Sequence, residues 1–537
     1  MKNLTLFSNL KYLAFAGIFL LNSCGSTAPI LSTPIENIDQ TPVKFSELTE
    51  VEKKGWSHFD LKKDTVPGVS LNLAYEKLVR PNGKTVVVAV IDSGIDITHE
   101  DLRNNIWINE DEVPNNGIDD DKNGYIDDVN GWNFLGKANN EQLEFVRLLA
   151  SKNTAHPRYN EAQETYDKER KKFSGLKQQY TAILEQINAA EKAVLAHLKK
   201  ASFTKEDVYA IETKDETLGR QLSIIKQSYS FGYDSIEGLK KDLNRDLDSF
   251  NERLDYNLNI DFNGRSIVND DPNDLNDRDY GNNNVMPKEG RSHGTHVSGI
   301  IAATRNNGIG IDGAANNVKI MAIRNTPNGD EYDKDVALGV YYAVDNGAKV
   351  INMSFGKGFS NHSDWVRDAI AYAAKKDVLI VAAAGNDGNN TDEVENYPND
   401  QIGTGAEISD TFLRVGATTN DYSSSLVAVF SNYGKSSVDV FAPGTEIYSS
   451  YPNNKYEFAQ GTSMASPLVA GVAALIFSQY PKLSAAQVKT ILMVSGLAIQ
   501  KKVSLGNGST VMFSALSKSG KLVNAYNALI MASRISK

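Results

Sequence analysis

The chain has 537 residues, of which 41% are hydrophobic and 23% are charged, and its formal net charge is −11. These proportions are ordinary for a globular protein, and the length allows roughly two to four domains or one large α/β domain with additions. The acidic balance, together with the lack of a Lys/Arg stripe with interleaved aromatic residues, argues against a nucleic-acid partner and fits a solvated acidic surface.

Residues 1–23 are typical of a lipoprotein signal peptide. Lys2 and Lys11 precede an apolar run, Tyr12–Leu21, that is too short to cross a bilayer but suits the core of a signal peptide. Leu21-Asn22-Ser23-Cys24 follows and resembles a bacterial lipobox, in which Cys24 is lipidated and becomes the first mature residue. The alternative is a plain secretory signal with an incidental cysteine. Cys24 is the one cysteine of the chain, so no intrachain disulfide can form.

The leader also sets the expected location. No later segment is judged long and apolar enough to be transmembrane, so we expect the mature protein to be anchored to the membrane by acyl chains rather than to span it. Residues 24–55 begin with a stretch rich in Ser, Thr and Pro and are predicted to be a tether. The expected location is the bacterial cell envelope, at the outer membrane, with the periplasmic or surface face left open.

Short apolar runs then alternate with helical patterns. Val86–Ile91 is a nearly unbroken β-branched run, typical of a strand buried on both faces of a parallel sheet. Similar runs recur at Val318–Ile323, Lys349–Met353, Val378–Ala382, Leu413–Val415 and Val438–Phe441, and helical patterns lie at Asp333–Asn346 and Ser363–Lys375. This alternation predicts an α/β fold with a doubly wound, mainly parallel sheet, whose functional site lies at the carboxyl ends of the strands.

The stretch 137–260 interrupts this pattern. It is rich in Lys, Glu, Gln and Asn, and its apolar residues recur at helical spacing from Leu176 to Leu198 and close to a heptad seam from Ile236 to Leu254. Gly232 indicates a break between two helices. We expect an α-helical hairpin inserted into a domain formed by residues 56–136 and 261–537. It is either a structural elaboration, or a docking arm for a protein partner or a gate on activity.

An acidic loop precedes this insertion. Its oxygen-bearing groups stand where an EF-hand-like loop places its ligands, with Gly124 at the sixth position: Asp119, Asp121, Asn123, the Tyr125 carbonyl and Asp127. The twelfth position is Asn130 rather than glutamate, which leaves a shortened calcium loop or a solvated acidic turn. A second, less regular cluster contains Asp270, Asp271, Asp274, Asp277 and Asp279. Structural Ca²⁺ is the one metal expected, and no cofactor is expected for catalysis.

Three distant segments each carry one group needed to activate a serine: Val88-Ala-Val-Ile-Asp92-Ser-Gly, Ser292-His293-Gly-Thr-His296 and Gly461-Thr-Ser463-Met-Ala. A serine hydroxyl needs a base within hydrogen-bond reach, and the base needs a partner that fixes its tautomer. Asp92 ends a buried strand, whereas His293 and Ser463 each open a predicted helix. We expect the three side chains to form one hydrogen-bonded line. Pro467 is expected early in its helix, where a missing N–H costs least.

These segments, in the order Asp, His, Ser, resemble those of the subtilisin-like serine proteases (subtilases, peptidase family S8). The resemblance covers about residues 56–135 and 286–500, and the acidic segment is similar to that of lipoprotein subtilases of the Bacteroidetes type. It implies a serine endopeptidase in which Asp92 orients the base, His293 is general base and then general acid, and Ser463 is the nucleophile. His296 then matches a second histidine that is not catalytic.

Two further matches concern the substrate. Ala382-Ala-Ala-Gly385-Asn386-Asp387 matches the family segment whose asparagine donates to the oxyanion, so the resemblance assigns that role to Asn386. Asn352-Met-Ser354-Phe355-Gly356 matches the strand that pairs with the substrate backbone, so Ser354, Phe355 and Gly356 are candidate substrate-binding residues. The expected partner is a peptide or protein substrate.

Other functions remain open from the sequence. A scaffold lipoprotein could retain the fold and use the helical insertion to hold a partner, and a processing protease could act on a single exported peptide. Zinc chemistry is not expected, because His293 and His296 lack the glutamate of the helical zinc-protease motif and have no cysteine partners. The stretch between Cys24 and Trp56 is too short for the propeptide that assists folding in this family, so either none is needed or the insertion helps.

Overall fold

The computed structural model describes residues 32–39, 41–42, 44, 46–403 and 405–536. The predicted signal peptide and Cys24 therefore lie outside the described residues.

The described helices, in chain order, are α1 (Glu50–Gly55), α2 (Leu71–Lys77), α3 (Glu144–Ala150), α4 (Tyr159–Leu198), α5 (Lys205–Tyr209), α6 (Glu216–Ser230), α7 (Ile236–Glu252), α8 (His293–Ala302), α9 (Asp333–Asp345), α10 (Ser363–Lys375), α11 (Thr462–Gln479), α12 (Ala485–Ser495) and α13 (Ala525–Ile535). The strands are β1 (Val86–Asp92), β2 (Gly131–Asn133), β3 (Val318–Arg324), β4 (Val350–Met353), β5 (Leu379–Ala383), β6 (Phe412–Thr418), β7 (Val440–Pro443), β8 (Ile447–Tyr451), β9 (Lys455–Ala459), β10 (Leu497–Ala498), β11 (Lys502–Ser504), β12 (Thr510–Met512) and β13 (Lys521–Leu522).

Nine of these strands form one sheet in the order β10-β13-β7-β6-β5-β4-β1-β3-β2. The described pairings within it are parallel except for that of β10 with β13. Each predicted β-branched run overlaps a strand of this sheet, and the predicted doubly wound, mainly parallel α/β fold is confirmed. The strand β1 lies inside the sheet between β3 and β4, which is why its residues are apolar on both faces.

Helices cover both faces of the sheet. Val88 and Val90 of β1 point into a core that contains residues of α8, α11, α12 and α13. The alternate residues Ala89 and Ile91 point into a second core, with α9 and α10. Burying one such aliphatic side chain stabilises the fold by about 1.5–3 kcal/mol. The two layers hold the carboxyl end of β1, where Asp92 lies, in a fixed position.

One helix corrects the expectation about membrane-spanning segments. Among the described residues, α11 is long and apolar enough to pass a test for a membrane span, with a mean hydropathy of 1.3 over 18 residues. However, 89% of that window is buried inside the protein. The helix α11 is therefore apolar because it packs in the core against the sheet.

Residues 32–39, which the sequence assigned to a tether, are fastened to the domain. Ile38 is 1% exposed. The Asn527 side chain accepts from the backbone N–H of Ile35 (2.7 Å) and donates to its carbonyl (2.9 Å). Further along, α1 begins with a capping box, in which the side chains of Thr49 and Glu52 each accept the backbone N–H of the other residue. The folded unit therefore includes residues before Trp56.

The insertion is more elaborate than a two-helix hairpin. Its outgoing limb is α4, with 40 residues. The returning α7 runs antiparallel to it, because Lys240 pairs with Glu191 (2.7 Å) while Phe250 packs on Tyr180 with ring centroids 5.1 Å apart. The helix α6 also packs on α4, through apolar side chains such as Ile225. Gly232 (φ +90°) thus separates α6 from α7 within the insertion, whereas α4 ends at Leu198.

The base of the insertion belongs to the body of the domain. The N–H of Asn328 donates to the Asn139 carbonyl (2.7 Å), and the N–H of Glu141 donates to the Asn328 carbonyl (2.9 Å). Six of the seven residues of α3 are buried. The helices that follow, α4–α7, are called the helical arm below.

Candidate active site

Asp92 and His293 are joined directly, although 201 positions separate them. The His293 Nδ1–H lies 2.8 Å from Asp92 Oδ1 and 3.0 Å from Oδ2. The carboxylate is 1% exposed and also accepts the N–H of Ser93 at 2.7 Å, which fixes its orientation. Gly294 allows this approach, because a Cβ there would lie 2.4 Å from the Gly94 carbonyl oxygen. Nε2 of His293 is thereby the nitrogen left for a substrate or nucleophile.

The carboxylate also sets the proton affinity of the imidazole. Removal from water alone would lower the pKa of His293, but the charge of Asp92 and its hydrogen bond outweigh this, and the pKa is raised above its ordinary value. The imidazolium formed when His293 takes a proton is therefore stabilised, as a general base requires.

Ser463 lies in the first turn of α11. Its backbone N–H is among the amides that have no partner within a helix and point out of its N-terminus. Gly461, with φ +145°, makes the sharp entry to this helix that other residues rarely adopt. The hydroxyl and the backbone N–H of Ser463 thus lie together at the carboxyl end of the sheet, beside Ser354.

The expected hydrogen-bonded line of three side chains is present only in part: the bond between Asp92 and His293 is formed. Among the described contacts, the Ser463 hydroxyl donates to the Ser354 carbonyl (3.0 Å) and not to His293. Ser354 follows β4, and Asp92 ends the neighbouring β1, where Ile91 is in register with Met353. The two anchors therefore lie side by side at the same end of the sheet. Rotation of the serine about χ1 is the change that redirects its hydroxyl, and such bonds often tighten only when substrate binds.

The Ser354 side chain also binds the backbone of Ser463, at a carbonyl that a proline leaves without its helical hydrogen bond. Pro467 is the sixth residue of α11, beyond the first four amides, so its missing N–H leaves the Ser463 carbonyl without its helical partner. The Ser354 hydroxyl donates to that carbonyl at 3.0 Å and lies 2.9 Å from the Ser466 hydroxyl. The expectation that Pro467 falls where a missing N–H costs least is wrong, and Ser354 compensates for the loss.

Asn386 presents a free donor beside Ser463. Its Oδ1 accepts from the Thr462 N–H (2.8 Å) and the Thr462 hydroxyl (3.0 Å), which fixes the amide. Its Nδ2 has no acceptor among the described residues, and the side chain is exposed. A Cβ at Gly461 would lie 3.4 Å from Asn386 Nδ2 and 3.6 Å from the Ser463 nitrogen. Two nitrogens that can donate therefore lie near one point beside Ser463, an arrangement that could serve an oxyanion. Thr462, which the sequence analysis did not single out, sets it.

The candidate substrate edge, Phe355 and Gly356, has backbone amides that are available to pair with a peptide. Phe355 is half-buried and Gly356 is exposed, and their backbone amides donate no hydrogen bond in the described structure. The next residue, Lys357, is held in both directions by Tyr397, at 2.9 Å each. A short extended segment with unpaired backbone groups can accept a peptide as an added strand.

His296 has a structural position. Its Nε2 lies 3.1 Å from the carbonyl oxygens of Ile447 and Glu457, and because carbonyls only accept, Nε2 carries the proton. Burial lowers the pKa of His296 to about 4. The neutral ring thus joins α8 to the β8–β9 hairpin, and it is not turned toward a zinc site.

The acidic loop brings together some of the predicted calcium ligands. Oxygens of Glu112, Asp119 and Asp121 all lie within 4.8 Å of one another. Oε2 of the buried Glu112 has no hydrogen-bond partner, and burial with the nearby charges of Asp128 and Asp121 raises its pKa. An unpartnered buried carboxylate oxygen fits a hard cation such as Ca²⁺.

Two other predicted ligands, Asn123 and Asp127, accept backbone hydrogen bonds. Both oxygens of Asp127 accept backbone amides, from Asn116 and Gly117 at 3.0 Å each. Oδ1 of Asn123 accepts the N–H of Tyr125 at 2.8 Å. Asp127 is not among the carboxylates whose oxygens lie within 4.8 Å of one another. Glu112 was missed because it lies before the twelve-residue register that the EF-hand comparison uses.

In the second acidic cluster, Asp270 is part of a buried ion-pair network. The carboxylate of Asp270 accepts from Arg265 (2.7 Å) and Lys334 (2.8 Å), with all three side chains buried. Arg265 also pairs with Asp335 at 2.6 Å. Because these charges neutralise each other, the described part of this cluster has a structural explanation without a metal.

A carboxylate–imidazole pair, a serine at a helix N-terminus and two free N–H donors at the carboxyl end of a parallel sheet define the class of nucleophilic serine hydrolases. Residues 83–511 match the model of the subtilase family, which is most of the chain. The protein belongs to the subtilase family.

Individual relatives agree with this assignment. The chain is 44% identical to thermitase of Thermoactinomyces vulgaris over 202 residues, which are 37% of this chain and 66% of thermitase. It is 39% identical to subtilisin DY of Bacillus licheniformis over 222 residues, 41% of this chain and 76% of that protein. It is 42% identical to the cell wall-associated protease of Bacillus subtilis (strain 168) over 212 residues, 39% of this chain but 22% of that protein. The match thus spans less than two thirds of thermitase and a smaller part of the cell wall-associated protease.

Proposed function

We propose that the protein is a serine endopeptidase in which Ser463 is the nucleophile. The observation that supports this best is the pairing of His293 with a buried Asp92, together with Asn386, whose amide oxygen is occupied and whose N–H is free. The cell wall-associated protease of Bacillus subtilis is a protease by name, in agreement with this chemistry.

The proposed mechanism uses each of these groups once per half-reaction. The Ser463 Oγ attacks the peptide carbonyl while His293 Nε2 takes the hydroxyl proton. The oxyanion accepts hydrogen bonds from Asn386 Nδ2 and the Ser463 N–H. His293 then gives its proton to the leaving amine as the C–N bond breaks, which leaves an acyl-enzyme. A water loses its proton to His293 and attacks the ester carbonyl. The bond between the acyl carbon and Ser463 Oγ then breaks, His293 gives the proton to Oγ, and the carboxylic acid product leaves.

The proposed substrate is a peptide in extended conformation, paired along Phe355 and Gly356. Strand addition reads the backbone, so this edge by itself fits many sequences. The test is hydrolysis of an internally quenched peptide library by the purified protein. Ser463→Ala should remove cleavage, with the free-energy barrier rising by several kcal/mol. Cleavage that persists in Ser463→Ala would reject the assignment.

Structural calcium is proposed at Glu112, Asp119 and Asp121. These residues would hold the ion through carboxylate oxygens and fix the loop after β1. The ion has no part in the proposed chemistry, because Ser463 is activated by His293.

Membrane anchoring through Cys24 and location in the bacterial cell envelope are proposed on the leader sequence alone. Metabolic labelling with an alkyne fatty acid should label the wild-type protein and fail with Cys24→Ala, which should also move to the soluble fraction. Labelling of Cys24→Ala would reject lipidation at this residue. A partner for the helical arm is likewise a proposal, tested by cross-linking through its exposed tip.

A further inference from the structure

The substrate edge continues into a segment that the insertion holds from one side. Phe355 and Gly356 lead directly into Lys357, Gly358 and Phe359, and Phe359 packs against Phe145 of α3 with ring centroids 5.8 Å apart. A displacement of this segment would pass along the backbone to Gly356 and Phe355, the residues proposed to pair with the peptide.

Arg158, the residue before α4, contacts this segment two residues beyond Gly356. Its guanidinium donates to the Gly358 carbonyl at 2.9 Å and lies over the ring of Phe359 at 3.9 Å. The same group lies 3.5 Å from the Glu395 carboxylate and is paired with Glu161. An arginine can do all of this at once because its planar fork has several donors and a flat face.

These contacts close a ring around the edge. Lys357 is paired through its backbone with Tyr397, and the Tyr397 hydroxyl donates to Glu395 at 2.7 Å. Glu395 lies against Arg158, which returns to Gly358, the neighbour of Lys357. The ring therefore joins two segments of the protease domain through one side chain from the insertion.

Buried ion pairs hold the side chain of Lys357, which is a member of this ring. The ammonium group of Lys357, 2% exposed, lies 3.1 Å from Glu144 of α3 and 2.9 Å from Asp333 at the start of α9. Burial alone would lower the pKa of Lys357, but these two carboxylates raise it, so the lysine stays charged. Removing either partner of such a buried pair is strongly destabilising, so Arg158 is the better residue to test.

We propose that Arg158 is a positioning residue for substrate, through which the insertion fixes the edge that pairs with the peptide. This rests on the proposed function, because the edge is taken to bind substrate. Arg158 touches no reacting atom. Its effect is confined to substrates long enough to reach Gly356, whereas a small ester that occupies only the position next to Ser463 does not use the edge.

The test compares two substrates in three variants. One substrate is a fluorogenic peptide with four residues before the scissile bond, and the other is a small activated ester. In Arg158→Ala, the ratio of kcat/KM for the peptide to that for the ester should fall about tenfold, mainly through KM, since a lost hydrogen bond of a charged group is of the order of a factor of ten. Arg158→Lys should lie between wild type and Arg158→Ala, because it keeps the charge and loses the stacked fork.

Arg245→Ala is the matched control. It removes an arginine from the same insertion, whose described ion pair is with Asp242, one turn away, and whose side chain is 72% exposed. The ratio should stay at the wild-type value. If Arg158→Ala does not fold, as judged by its melting temperature, Glu395→Gln opens the same ring from the other side and should lower the ratio.

The outcomes separate the two proposals. An unchanged ratio in folded Arg158→Ala, or an equal loss for peptide and ester, would overturn the positioning role while leaving the protease assignment intact. Failure of the wild-type protein to hydrolyse either substrate, with no modification of Ser463 by a fluorophosphonate, would overturn the protease assignment itself.

Discussion

Substitution of Asn386 tests the oxyanion site more specifically than any other change. Its Oδ1 is held by the Thr462 N–H at 2.8 Å and the Thr462 hydroxyl at 3.0 Å, so both hydrogens of Nδ2 remain for a substrate. Asn386→Leu keeps the size of the side chain and removes this donor. We expect kcat to fall by roughly 10²–10³, or about 3–4 kcal/mol in the barrier, a magnitude that comes from subtilisin, a relative of this protein. KM should change little, because the donor acts where charge develops.

The same substitution has a separate effect on stability. Thr462 is fully buried, so the leucine leaves its N–H and hydroxyl without their acceptor, at a cost of about 1–3 kcal/mol in the free energy of unfolding. Asn386→Asp is the control that separates the two effects. It keeps an acceptor for Thr462 and replaces the donor by a negative charge, so it should retain more stability and still lose activity.

The assay is steady-state hydrolysis of a fluorogenic peptide, with melting temperatures measured on the same preparations. A loss in kcat of less than tenfold for Asn386→Leu would refute the oxyanion role. So would a loss confined to KM, or an Asn386→Asp variant as active as wild type.

Three further outcomes follow from the site and its surroundings. Asp92→Asn should lower activity by about 10⁴ and move the acid limb of the pH–rate profile to lower pH, because the carboxylate raises the pKa of His293; an unchanged limb would remove Asp92 from this role. A chelator should lower the melting temperature of wild type more than that of Glu112→Gln, because calcium at a hundredfold above its dissociation constant adds up to about 2.7 kcal/mol to the free energy of unfolding; equal shifts would reject the site. Burial keeps His296 neutral in the folded state, so between pH 6.5 and about 4 the unfolded chain binds a proton at this residue that the folded chain does not. As pH falls through this range, the contribution of His296 should lower the free energy of unfolding by about 3 kcal/mol, as measured by urea unfolding. His296→Gln should lose less over the same range.

Local patterns in the sequence were sufficient for the sheet and for much of the site. The run Val86–Ile91 predicts β1 because a strand buried on both faces has few alternatives, and Asp92 follows at its carboxyl end. The helix start at Ser463 and the anchoring of His293 by Asp92 were likewise predicted from short segments with their own turn residues.

What the sequence could not provide depends on contacts between distant segments. The role of Thr462 in orienting Asn386 depends on a contact across 76 positions. Arg158 looks like any charged residue before a helix, and only folding brings it to Gly358. The calcium ligands were assigned from spacing alone, which cannot tell that Asp127 turns to backbone amides.

The central claim is that Ser463 is activated by His293 although its hydroxyl rests on the Ser354 carbonyl in the absence of substrate. The most direct measurement is reaction with a fluorophosphonate, followed by mass spectrometry of the peptides. The account predicts one adduct per chain, located on Ser463, that disappears in Ser463→Ala and forms much more slowly in His293→Ala. An adduct on another residue, or a rate of labelling unaffected by His293→Ala, would contradict it.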